Sequence, residues 1–137
     1  MPTYLADKSA LVHMRDAHVA SRLSPLILDG EVATCGIVEL EVLYSARSAS
    51  DLREIRDERR SAFPRVPMGE ADFERAEEVL GHLALQGHHR AVSLPDLLIA
   101  AAAERAGLIV LHYDADYDII AAATGQTTEW VAPRGSL

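Results

Sequence analysis

Short, almost wholly apolar runs alternate along this chain with longer stretches whose apolar residues recur at helical spacing. Thr3-Tyr4-Leu5-Ala6 predicts a buried strand ending at Asp7. Ser9 to Met14 and Ala17 to Leu28 predict helices, the second stopped by Gly30. Val32-Ala33-Thr34-Cys35 predicts a second strand and Ile37 to Arg47 a helix. Ser50 or Asp51 stands where it can cap a charged helix running to about Ser61. Pro64 and Pro67 bracket a short extended piece, Arg65-Val66. Asp72 to Gln86 predicts an amphipathic helix, Gly87-His88-His89 a solvated loop, and Leu94 to Ala106 a helix stopped by Gly107. Leu108 to His112 predicts a strand, Tyr117 to Ala123 a helix ended by Thr124-Gly125, and Glu129-Trp130-Val131 a last strand. Apolar strands alternating with helices imply an α/β fold, a mainly parallel sheet covered by helices on both faces. Sites in such folds lie outside the carboxyl ends of the strands, where Asp7 and Asp114 fall.

The length of 137 residues predicts one domain, 1–137. The longest apolar run, Leu94 to Leu111, is interrupted by Asp96, Glu104, Arg105 and Gly107, so it cannot span a membrane. No basic and apolar leader opens the chain, and a soluble cytoplasmic protein is expected. A single cysteine, Cys35, excludes an internal disulfide and reads as a small buried hydrophobe. The net charge of −8 argues against a general nucleic-acid binder. It leaves open a metal-dependent nuclease, in which cations offset the acid at the site itself.

Within that frame five acids stand out: Asp7, Glu41, Asp96, Asp114 and Asp116. Carboxylates in apolar settings suffer desolvation and mutual repulsion, so a fold keeps them mainly for function. Each also has a plainer reading. Asp7 can cap the helix that follows it. Ser93-Leu94-Pro95-Asp96 has capping-box spacing with proline in the first turn. At 100° per residue Glu41 projects between Ile37, Val38, Tyr44 and Ser45, while Glu39 points nearly opposite, beside Leu43 and Ala46. Glu41 therefore needs a partner, either a cation or an arginine such as Arg47 or Arg105. Asp114-Ala115-Asp116-Tyr117-Asp118 is not a calcium loop, because Ile119 and Gly125 stand where that loop needs Gly and Glu. It reads as an acidic turn, with Asp114 and Asp116 facing the site and Asp118 facing solvent or the helix terminus. His112 reads as lining the edge of the site. His88-His89 lacks zinc-type spacing, and the chain has no phosphate loop, G-x-G-x-x-G or G-x-S-x-G.

Four segments, in order, resemble those of PIN-domain ribonucleases. Leu5-Ala6-Asp7-Lys8-Ser9-Ala10 resembles the family's opening strand, its Asp and the hydroxyl residue that follows. Glu41-Val42-Leu43-Tyr44-Ser45-Ala46 is similar to E-L-x-x-G-A, with Ser45 in place of glycine. Pro95-Asp96-Leu97-Leu98-Ile99-Ala100-Ala101 is similar to P-D-x-x-I-A-A. Val110 to Tyr117 is similar to V-T-x-D-x-D-F, with His112 for threonine and Tyr117 for phenylalanine. The small size and the late strand resemble the VapC toxin branch.

The resemblance implies a three-layer α/β/α sandwich and an endoribonuclease that hydrolyses RNA with metal-activated water. It implies that Asp7, Glu41, Asp96 and Asp114 are catalytic and hold Mg²⁺ or Mn²⁺, with Asp116 assisting. It further implies a homodimer, and inhibition by a small antitoxin whose C-terminal segment covers the groove. Ser9 is placed to bond a metal ligand or a scissile phosphate. Arg53, Arg56 and Arg60 recur at helical spacing, with Arg59 and Arg65 nearby. They read either as a solvated face paired with Glu54, Asp57 and Glu58 or as a phosphate-tracking edge. Two other classes compete. A catalytically inactive PIN domain would serve as a binding module, which the full acid set argues against. A phospho-receiver module needs a lysine near the last strand, and the only lysine is Lys8.

Overall fold

A computed structural model describes residues 1–137. The order of elements is β1 (Tyr4–Ala6), α1 (Lys8–Leu11), α2 (Ala17–Leu28), β2 (Val32–Cys35), α3 (Gly36–Leu43) and α4 (Ala49–Ala62), followed by β3 (Arg65–Val66), α5 (Glu70–Ala84), α6 (Leu94–Ala106), β4 (Ile109–His112), α7 (Asp116–Thr124) and β5 (Thr128–Trp130). The strands form one sheet in the order β3-β2-β1-β4-β5, and every pairing is parallel. All carboxyl ends therefore open on one edge. The central strand β1 pairs Leu5 with Ala33 on one side and with Val110 on the other.

Strand alternation divides the core between the two faces of the sheet. Val110 joins a large cluster with Leu5, Ala33, Val38, Leu83, Ile99 and Ile120, built from β1, β2, α3, α5, α6 and α7. Its neighbour Leu111 joins a smaller cluster with Ala10, Val19, Leu23 and Val131 on the α1–α2 side. These are the three layers. In α6, buried Ala100 to Ala103 let the helix lie close to the sheet, and fully buried Ile99 contributes about 1.5–3 kcal/mol of apolar burial. Asp72, 1% exposed, accepts from Arg105 Nε at 2.7 Å and laces α5 to α6. No helix is long and apolar enough to cross a membrane.

Several boundaries differ from expectation, each for a local reason. The helix expected over Ser9 to Met14 is a single turn, after which the chain turns through residues 12–15. The helix expected to reach Arg47 ends at Leu43; the Ser45 hydroxyl donates to the Val42 carbonyl at 2.7 Å as the chain leaves. The cap of α4 is Ser48, not Ser50 or Asp51: its hydroxyl accepts from Asp51 N–H at 3.1 Å, and the Asp51 carboxylate accepts from Arg47 N–H at 2.9 Å. α5 begins two residues before Asp72, whose side chain accepts from the Gly69 N–H at 3.0 Å. Leu108 stays outside β4 because its N–H returns to the Ala103 carbonyl, closing α6 through Gly107 at φ +71°.

Candidate metal and active site

The acids reach one cleft from four segments. Asp7 closes β1 and is 4% exposed. Its Oδ2 accepts from Ser9 N–H at 3.0 Å, so it does cap α1, and its Oδ1 accepts from the Tyr117 hydroxyl at 2.9 Å. Capping uses one oxygen and fixes the direction of the other.

Asp96 enters on the first turn of α6, behind the N-cap Ser93. Ser93 Oγ accepts from Asp96 N–H at 3.3 Å, which is the first half of a capping box. The second half is missing. The Ser93 N–H that Asp96 would take donates instead to Asp116 Oδ2, at 3.0 Å. The Asp96 carboxylate is thereby released into the cleft, where its Oδ1 accepts from the Tyr117 hydroxyl at 3.1 Å. Both readings of Asp96 thus meet in one residue: its backbone serves the cap and its side chain serves the cleft.

Asp114 follows β4, and its Oδ1 accepts from Asp116 N–H at 2.9 Å. One carboxylate oxygen each from Asp96, Asp114 and Asp116 lie within 4.8 Å of one another. Glu41 projects from α3, and its Oε1 is buried with no hydrogen-bond partner. No arginine meets it. Arg105 is bound to Asp72, and Arg47 contributes only its backbone N–H, to Asp51. The cleft measures about 280 Å³ and is lined by Asp7, Lys8, Ser9, Val12, Glu41, Ser93, Asp96, Asp114 and Asp116.

Crowded acids with few donors show in their protonation. Burial, the adjacent Asp116 and the charges of Asp7 and Asp114 push the Asp96 carboxyl up to about 8, against the opposing Ser93 bond. Burial and the charges of Asp7 and Asp114 raise Glu41, with Lys8 pulling it back. Burial pushes the Tyr117 phenol well up, Asp7 and Asp96 add to the shift, and so the hydroxyl keeps its proton and donates. An all-oxygen donor set of this charge, with an orphaned buried oxygen, fits a hard divalent cation.

The expected residues are not all gathered here. Ser9 lines the cleft, but its Oγ already accepts from Tyr113 N–H at 2.9 Å, which leaves its hydroxyl proton for a ligand. His112 does not line the site. It is fully buried, with its ring 4.9 Å from those of Tyr117 and Trp130. Asp118 faces outward and accepts from Trp130 Nε1 at 3.1 Å. Arg56 and Arg60 line a different cavity of about 360 Å³, with Arg65 and with Glu39 and Leu40 of α3. Arg53 is exposed, and Arg59 is taken by Glu39 at 2.6 Å. The basic residue in the acid cleft is Lys8. Sequence reading passed over it, although its place directly after Asp7 was the available signal. Tyr117 stands where the family pattern has phenylalanine, and nothing in the sequence marks its hydroxyl.

Known proteins resemble this chain in sequence and in fold. A family model described as PIN domain matches residues 4–123. The chain is similar to ribonuclease VapC18 of Mycobacterium tuberculosis, 46% identical over 136 residues, covering 98% of each chain. In structure it resembles DNA-bound VapBC from Salmonella typhimurium, with a TM-score of 0.77 and 16% identity over 96% of this chain and 100% of the other. It also resembles VapBC-5 of Mycobacterium tuberculosis, a member of the VapBC family of toxin–antitoxin systems. There the TM-score is 0.60 and the identity 22%, over 94% of this chain and 98% of the other.

Proposed function

This chain belongs to the PIN domain family, and from that premise we propose that it is a divalent-cation-dependent endoribonuclease, the toxin of a toxin–antitoxin pair. Asp7, Glu41, Asp96 and Asp114 would hold Mg²⁺ or Mn²⁺, with Asp116 assisting. The observation that carries the reading is the release of Asp96 into the cleft. A capping carboxylate gives up its reciprocal bond to join four other acids, an arrangement that costs stability unless a cation occupies it.

When bound, a divalent cation would lower the pKa of a coordinated water and offset charge on the phosphoryl oxygens. The chain supplies the rest. Asp7 and Asp96 are held by the Tyr117 hydroxyl, and Asp116 is held by Ser93 N–H, so the donor oxygens are oriented before substrate arrives. The Lys8 ammonium gives the cleft its one positive group for a phosphate, and the Ser9 hydroxyl has a proton free for a phosphoryl oxygen. Arg56 and Arg60 would offer further positive charge to RNA from the cavity on the other face of α3. The proposal extends to a homodimer and to a small antitoxin whose C-terminal segment covers the acid groove. Membership of the VapBC-5 relative in a toxin–antitoxin system supports the second partner.

The test is incubation of labelled RNA with the protein and Mn²⁺, with and without chelator, beside Asp96→Asn. Cleavage that requires both Mn²⁺ and Asp96 is expected. RNA binding without cleavage in Mn²⁺ would return the chain to the inactive binding-module reading.

A further inference from the structure

Behind the acid cleft lies a buried side chain that bonds two of its acids. Tyr117, the second residue of α7, is fully buried, and its hydroxyl lies 2.9 Å from Asp7 Oδ1 and 3.1 Å from Asp96 Oδ1. These acids stand 89 positions apart in sequence, and no other side chain bonds to both. We propose that Tyr117 is a positioning residue of the acid site, whose hydroxyl sets the separation and tilt at which Asp7 and Asp96 meet a divalent cation. The proposal rests on the cation-dependent reading above.

Three features support it. First, the hydroxyl is a fixed point. The Tyr117 ring lies against His112, with centroids 4.9 Å apart and planes at 35°. His112 is itself fixed by Asp114 N–H, which donates to its Nδ1 at 3.1 Å, and by Trp130 at 4.9 Å. A ring wedged in this way cannot swing, so the acids hang from a point determined by core packing.

Second, the bonds select oxygens. Asp7 spends Oδ1 on Tyr117 and Oδ2 on Ser9, whereas Asp96 gives Oδ1 to Tyr117 and lies beside Asp116 and the Ser93 hydroxyl. Asp96 is also the residue that meets Asp114 and Asp116. Third, one hydroxyl proton faces two acceptors. Two buried carboxyl groups share that one donor, and a cation offsets the charge they carry when ionised. A purely apolar role would need no hydroxyl, since phenylalanine fills the same space. His112 and Tyr117 are both departures from the V-T-x-D-x-D-F pattern, and they touch each other.

Tyr117→Phe keeps the ring and removes the oxygen. Mn²⁺ binding to the full chain, followed by the electron paramagnetic signal of the free ion, should show a Kd roughly 10- to 100-fold higher than in the wild type. Cleavage at limiting Mn²⁺ should fall in step, and excess Mn²⁺ should restore it. Wild-type binding with an unchanged Kd in the variant would overturn the proposal and leave the functional reading intact, even if the variant melts lower in chelator. A wild type that binds no Mn²⁺ would overturn both. Should Tyr117→Phe fail to melt cooperatively, Tyr117→Met, which fills part of the same space without a hydroxyl, carries the same test. A raised Kd supports the proposal, and an unchanged one overturns it.

Discussion

Asp96 is the residue at which packing and charge conflict most. Its carboxyl is pushed up to about 8, against about 3.9 in an unfolded chain. Between those values the folded, metal-free protein holds a proton that the unfolded chain has lost. Stability in chelator should therefore fall as pH rises from about 4 to about 8 and level off above that. Thermal melts across that range give the slope. Because that proton must leave when a cation binds, Mn²⁺ affinity should rise with pH and flatten above about 8. Asp96→Asn should raise the melting temperature in chelator at pH 8, remove most of the slope and abolish cleavage. Asp7→Asn should also abolish cleavage, and full activity in both variants would remove them from the site. The acids were legible in the sequence because each interrupts an apolar context. What they bond to was not. The oxygen of Tyr117 and the diversion of Ser93 N–H to Asp116 are consequences of three-dimensional placement alone.

The helix α3 shows what a single element can carry on two faces. Glu41 turns toward the cleft and stays unpartnered, whereas Glu39 turns away into a closed pair. Arg59 of α4 donates to Glu39 at 2.6 and 2.7 Å and Thr34 of β2 at 2.6 Å. Burial pushes this carboxyl up, but the Arg59 and Thr34 bonds outweigh it and hold it below the usual range. The cluster ties α3, α4 and β2 together. Arg59→Ala leaves a buried charge without its partner and should cost about 3–5 kcal/mol, measured by urea unfolding. Periodicity revealed that both glutamates break an apolar helix. It could not reveal the partner, because Arg59 lies 20 positions on, in a helix whose charges all read alike. For the same reason Arg56 and Arg60 were indistinguishable from Arg59, yet they line a cavity with Arg65. If they track phosphate, Arg56→Ala with Arg60→Ala should flatten the salt dependence of RNA binding in Ca²⁺ by about one to one and a half logarithmic units. An unchanged slope would assign them to the cavity alone.

At the scale of the whole molecule, the architecture was the most legible level. Short apolar strands separated by helices leave little choice but parallel pairing, and the sheet is parallel throughout. Element ends were less legible, because single bonds such as Ser48 Oγ to Asp51 N–H decide them. A cation that binds the folded state alone should stabilise the entire fold, by about 2.7 kcal/mol at 100 times Kd. For a chain of this size that corresponds to a melting temperature higher by roughly 10 °C, and Asp114→Asn should blunt the gain. The order of strands has a consequence of another kind. The acid set is spread from residue 7 to residue 116, and its first member waits on β1 until β4 pairs beside it. A ribosome translating this chain has made most of it before the last acid exists. On the proposed reading, a chain in which β4 has not yet paired with β1 lacks a complete acid site and should cut no RNA.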